Sequence, residues 1–139
     1  MITYKKEKIS VDTYLYLRSQ VKWKVLSRVQ AQTALDNSLV IFVAYDGDKP
    51  VGMGRIVGDG AVISYIQDLI VIPGVQGRGI GSGLIKRLID FVESIRIEGT
   101  EMMLCLMCAK GREGFYAKHG FIARPNDALG PGMIQYLKY

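Results

Sequence analysis

Long apolar runs are missing from this 139-residue chain. None approaches the ~18–20 residues that a bilayer-spanning helix needs. The opening MITYKKEKISVDTY also lacks the apolar core and small-residue cleavage site of a secretory leader. The expectation is a soluble chain in a cytoplasmic setting, with no membrane partner. Cysteine is nearly absent too, with only Cys105 and Cys108. Their C-x-x-C spacing invites a metal or thiol reading. Yet no second Cys pair or nearby His pair completes a zinc set, and no helix start follows to activate a thiol. MMLCLMCA reads as a buried strand in which free cysteine packs as a small apolar side chain, so no metal is expected. Gly-Lys-Ser and Gly-Lys-Thr occur nowhere, which excludes a Walker A phosphate loop. Repeats, low-complexity tracts and linkers are missing as well, and the length suits one domain of ~100–150 residues, taken here as 1–139.

The residues present describe an ordinary folded chain, 49% apolar and 22% charged. Net charge is +5, but the basic residues are scattered (Lys5, Lys6 and Lys8; Lys22 and Lys24; Lys86 and Arg87; Lys110 and Arg112). No tract marks a nucleic-acid surface, and no nucleic-acid partner is expected. The same balance suits a small polyanionic ligand, whose capture a few convergent cations accelerate.

Along the chain, ITYKK reads as a first strand. Apolar positions spaced through residues 11 to 36 predict one broken or two short helices. LVIFVAY (39–45), a DGDKP turn (46–50) and VGMGRIV (51–57) predict paired strands. After Gly58-Asp59-Gly60 comes AVISYIQDLIVI (61–72), the longest strand candidate. Ile80, Leu84, Ile85, Leu88, Ile89, Val92 and Ile95 then recur at spacings of three and four, a helical stripe. A strand over 102–108, a short helix opening near Arg112, and strands around Phe121 and over Met133–Tyr139 complete the expectation. Strands run first and then alternate with helices, which implies a mixed α/β sheet.

Between the long strand and the helical stripe lies VQGRGIGSG, with Gly77, Gly79, Gly81 and Gly83. Glycine lets main-chain amides approach a ligand and adopt positive φ. At a helix start, where the first amides lack internal partners and the dipole is positive, the fitting occupant is an anion such as a pyrophosphate. A glycine-rich turn that merely packs helix on strand is the alternative. The dinucleotide fingerprint G-x-G-x-x-G is not met, because Ser82 stands in its third place and the next strand ends without an acid.

Gln76-Gly77-Arg78-Gly79-Ile80-Gly81 does match Q/R-x-x-G-x-G/A, and FYAKHGF (115–121) resembles an LY-x-x-x-GF element. In this order and separation the two motifs resemble the GNAT acetyltransferase superfamily over most of the chain. The resemblance implies a mixed, mostly antiparallel sheet flanked by helices, with acetyl-CoA as co-substrate. It also implies that the pantetheine arm pairs with main-chain groups of Leu69, Ile70 and Val71, and that amides from Gly77 through Arg78, Gly79, Ile80 and Gly81 to Ser82 hold the pyrophosphate. Arg78 and Lys86 either add charge there or are solvated surface residues.

By the same resemblance Tyr116 occupies the place of a general acid that protonates the departing thiolate; as a residue of an amphipathic helix it would instead simply pack. Asp68 interrupts an apolar strand, where a carboxylate is costly unless partnered. It reads either as a base or amine-orienting group, or as a carboxylate held by neighbouring backbone amides. His119 precedes Gly120 near a helix end, which favours capping over proton transfer. The superfamily often has Asn seven residues before the Tyr, and Ala109 stands there. RPNDALGPGM (124–133), Tyr16 and Trp23 either border an acceptor pocket or are structural. The expected acceptor is a small-molecule amine, with protein amino groups as the second class and a homodimer left open. A CoA-binding regulatory module without transfer is the competing reading.

Overall fold

The computed structural model describes residues 1–138 and divides into two compact units, Met1–Leu106 and the segment from Met107 onward. The first unit holds a five-stranded sheet in chain order: β1 (Ile2–Lys6), β2 (Val40–Asp46), β3 (Lys49–Gly58), β4 (Ile63–Val71) and β5 (Met103–Leu106). The first four strands are antiparallel neighbours, and β5 joins β4 in parallel. That parallel step needs a crossover, which helix α3 (Ile80–Ile95) supplies. Helices α1 (Val11–Gln20) and α2 (Arg28–Asp36) fill the connection from β1 to β2.

Local chemistry sets these boundaries. Ser10 and Ser27 cap α1 and α2, each hydroxyl accepting from the amide three residues on, Thr13 and Gln30. Only Gly47 and Asp48 form the turn between β2 and β3, so Lys49 and Pro50 belong to the strand. The Asp59 carboxylate takes the amides of Ala61, Val62 and Ile63 and so fixes the entry to β4.

Strand β3 is buried from Val51 to Ile56, which requires cover on both faces. On one face, a Cβ at Gly52 or Gly54 would meet Leu84 and Ile80, or Leu88, of α3. On the other, Arg55 reaches residues of α1, Tyr14 and Leu17 of which are fully enclosed. The amphipathic stripe of α3 behaves as its spacing predicts, with Ile80, Leu84, Ile85, Leu88 and Val92 buried.

The second unit contains α4 (Glu113–Lys118), and none of its described residues is fully buried. The strands expected around Phe121 and over Met133–Tyr139 do not form among the described residues; Tyr139 lies outside them. Met133, Ile134, Tyr136 and Leu137 are exposed, and among the described residues no neighbouring ladder receives this apolar stretch. Strand β5 is likewise shorter than 102–108. Cys105 lies half-buried on it, but Cys108 is exposed beyond its end, contrary to the expectation that both pack inside a strand.

Candidate active site

Four glycines precede or open α3, and they serve different ends. Gly77 and Gly79 have φ of 83° and 79°, in the left-handed region, and a Cβ on either would meet no protein atom within 4 Å. Backbone conformation and open space, not packing, therefore select glycine there. Gly83 is the opposite case: its Cβ would fall 2.1 Å from the Tyr4 hydroxyl, so the glycine lets α3 lie against β1.

Gly79 is also the N-cap of α3. No side chain caps the helix, and its first intrahelical bond runs from the Gly83 amide to the Gly79 carbonyl at 3.0 Å. A glycine-capped helix start with open space before it fits a diphosphate, since amides bind an anion without any particular side chain. The Ile80 side chain packs in the core, so it offers no side-chain contact to a ligand.

The flanking side chains brace this loop. Gln76 donates to the Val71 carbonyl at 2.9 Å, tying the loop back onto the end of β4. That bond removes one acceptor from the main-chain set assigned to the pantetheine arm. Arg78 pairs with Asp46 at 3.4 Å and Lys86 with Asp90 at 3.1 Å, both in solvent.

Strand β4 carries the second feature. Its β3 side is paired along almost its whole length, whereas its β5 side is paired only from Ile63 to Ile66, because β5 stops at Leu106. Leu69 and Ile70 therefore lie beyond the end of the parallel ladder. The Ile70 carbonyl faces β3, 2.7 Å from where a Gly52 Cβ would lie, so Leu69 and the Val71 amide are the main-chain groups on the edge that an extended ligand arm can extend. The β3 ladder has a bulge at this level. Met53 faces Ile70 and Arg55 faces Gln67, so Gly54 alone stands opposite Asp68 and Leu69. Asp68 takes φ of 56°, a left-handed conformation that aspartate tolerates better than most residues.

The Asp68 side chain is wholly enclosed and held by three others. Arg18 Nη1 reaches Oδ1 at 2.6 Å, Arg55 Nε reaches Oδ2 at 2.7 Å, and the Tyr14 hydroxyl donates to Oδ2 at 2.5 Å. Burial and the neighbouring carboxylate both push the Tyr14 phenol up, so it stays protonated as the donor. Arg18 further donates to the Lys24 carbonyl at 2.9 Å, and its guanidinium lies 5.4 Å from the Trp23 ring centre. A carboxylate enclosed by three donors is poorly placed to take a proton from a bound amine. Of the roles open at Asp68, the held carboxylate is the one whose geometry is present, held by side chains rather than backbone amides. Removing one partner of such a buried pair costs about 3–5 kcal/mol.

Sequence reasoning singled out Asp68 but missed Tyr14, Arg18 and Arg55. A signal existed, because Arg55 breaks the apolar run VGMGRIV as Asp68 breaks SYIQDLIVI, and the two runs are adjacent antiparallel strands.

Within the second unit, the FYAKHGF element is a helix terminus. His119 is the C-cap, Gly120 follows at φ 90°, the Gly120 amide donates to the Ala117 carbonyl, and the Phe121 amide donates to the Tyr116 carbonyl. This is a Schellman cap, whose apolar contact is made by Tyr116 and Phe121, ring centres 5.9 Å apart and edge to face. His119 thus stands at the capping position expected of it. The Tyr116 phenol is pushed up by burial first and the nearby Cys108 second, against an opposing Arg112, and remains protonated at neutral pH. Its hydroxyl makes no hydrogen bond among the described residues. Ala109, in the place of the superfamily's Asn, precedes the turn into α4, where the Arg112 amide donates to its carbonyl. Among the described residues no cluster of His, Cys, Asp and Glu could hold a metal ion, and no helix is long and apolar enough to cross a membrane.

A family model described as an acetyltransferase (GNAT) domain matches residues 37–123. A GNAT-family acetyltransferase from Streptococcus pneumoniae TIGR4 is similar in structure, with TM-score 0.83 and 35% identity over the whole of both chains. A probable acetyltransferase from meticillin-resistant Staphylococcus aureus gives TM-score 0.85 and 27% identity, again over the whole of both chains. GCN5-related N-acetyltransferase 1, chloroplastic, of Arabidopsis thaliana is 30% identical over 97 residues, 69% of this chain and 47% of that protein. Serotonin N-acetyltransferase 2, chloroplastic, of Oryza sativa subsp. japonica is 30% identical over 101 residues, 70% of this chain and 48% of that protein. The chain thus spans about half the length of these two plant relatives.

Proposed function

Because the chain belongs to the GNAT acetyltransferase superfamily, we propose that it moves an acetyl group from acetyl-CoA directly to a primary amine of a small molecule. The observation that carries this reading is the glycine-capped start of α3, with positive φ at Gly77 and Gly79 and open space before both. Amides from Gly77 to Ser82 take the pyrophosphate, and the main chain at Leu69 with the Val71 amide, beyond the last β5 pairing, takes the pantetheine arm.

Direct transfer requires a neutral amine, an oriented thioester and a proton for the departing thiolate, with no enzyme nucleophile. Tyr116 is the proposed general acid, and a phenol kept protonated at neutral pH supports that role. Asp68 is not needed as the base on this reading, and solvent removes the amine proton. The sequence does not name the acceptor. Because the rice relative is named for serotonin, arylalkylamines belong in the first panel of candidates.

The test is release of free CoA, followed with a thiol reagent across a broad panel of amines and then of protein amino groups. Turnover with a small amine is expected. Turnover only on protein amino groups would move the acceptor to the second class. Binding of CoA without any turnover would replace the enzyme by a CoA-binding module, the outcome toward which Ala109 leans.

A further inference from the structure

We propose that the buried Asp68 cluster is a positioning device for the acetyl-CoA arm: Tyr14, Arg18 and Arg55 hold Asp68 in its left-handed conformation, and that conformation sets the main chain of Leu69 at the edge of β4 beyond its last β5 pairing. The inference rests on the acetyl-CoA reading above and adds three residues to it. Its first support is the bulge. Two residues of β4 stand opposite Gly54, and Asp68 is the first of the two, so its φ of 56° determines where the strand points after it. A non-glycine residue holds such a φ only where its surroundings over-determine it. Here they do, since both carboxylate oxygens accept from donors anchored on two other elements, α1 and β3.

The second support is the neighbouring residue. A Cβ on Gly54 would lie 3.2 Å from Leu69 Cδ1 and 2.8 Å from Leu88 Cδ1. Glycine at 54 therefore lets Leu69 settle against α3 while Asp68 is drawn toward α1. The two side chains pull the bulge to opposite faces of the sheet, and the main chain between them has one setting. The cluster lies close to the arm-binding edge but acts on it through the backbone alone.

A positioning role of this kind affects one part of the ligand and not the other. ADP carries the pyrophosphate without the pantetheine arm, so the loop alone decides its affinity. Tyr14→Phe removes one donor to Asp68 and keeps the ring. Binding of acetyl-CoA and of ADP is to be measured by calorimetry for wild type, Tyr14→Phe, Arg18→Gln and Asp68→Asn, at a temperature where circular dichroism reports each folded. The expected result is acetyl-CoA affinity weakened by about tenfold or more in each folded variant, with ADP affinity unchanged. Equal losses for both ligands would reduce the cluster to general stability and overturn the proposal. Wild-type acetyl-CoA affinity in Asp68→Asn would overturn it as well. Should Tyr14→Phe not fold, Arg18→Gln reads the same difference. A wild-type protein that binds neither ligand would instead fail the acetyl-CoA reading itself, an outcome distinct from the other two.

Discussion

The Tyr116 ring closes the cap at the end of α4 against Phe121, and its hydroxyl takes no part in that contact. Tyr116→Phe therefore keeps the packing and removes only the proton. Single-turnover acetyl transfer at saturating amine is expected to fall by about 10²–10⁴-fold, with acetyl-CoA affinity and thermal midpoint unchanged. An unchanged single-turnover rate would move the acid role to water or another residue. A lost midpoint would mean that the hydroxyl supports the fold. Tyr45 offers a residue-scale prediction of another kind. Its phenol donates to Glu7, and burial first and that carboxylate second push it from its ordinary 10.0 up to about 12. As pH rises, an unfolded chain gives up this proton before the folded one does. The contribution is complete below about pH 10 and is lost by about pH 12. Thermal midpoints from about pH 9 to about pH 12 should fall less steeply in Tyr45→Phe than in wild type.

At the scale of the elements, the junction of loop and α3 separates glycines chosen for conformation from one chosen for contact. Gly79→Val puts a β-branched side chain at φ 79°, in the space proposed for the pyrophosphate. Acetyl-CoA and ADP affinity should both fall by about tenfold or more, and unchanged affinity in a folded variant would refute the anion nest. Gly83→Ala acts elsewhere, because its Cβ meets the Tyr4 ring on β1. The expected loss is about 1–3 kcal/mol in denaturant unfolding, partly recovered when Tyr4→Leu is added. An undiminished stability would show that α3 is free to shift on the sheet. The sequence could not distinguish these two kinds of glycine, since both read as bare backbone near a helix start. It did reveal α3 itself, because a sixteen-residue stripe has a period that only a helix satisfies. The bulge at Asp68 was invisible for the converse reason: it depends on pairing between strands, which no local pattern records.

Across the whole molecule, local periodicity was enough to read the first unit, where the three central strands and the three helices each carry buried residues. In the segment from Met107 onward it placed the short helix that opens at Arg112, but the strands it expected there do not form among the described residues. An apolar stretch such as MIQYL becomes a strand only when a partner ladder receives it, and the described residues of that segment gain none. The candidate site divides in the same way. The loop and Tyr116 were legible as motifs, while Tyr14, Arg18 and Arg55 come together only through the sheet and α1. The Schellman cap bears on how such motifs are used to sort proteins. Tyr and Phe fill the C3 position equally well as far as Phe121 is concerned, so a search for aromatic-x-x-x-Gly-Phe detects a way of ending a helix. A chain with phenylalanine at that one letter would score as a full member of the group and lack the only proton the motif was thought to report.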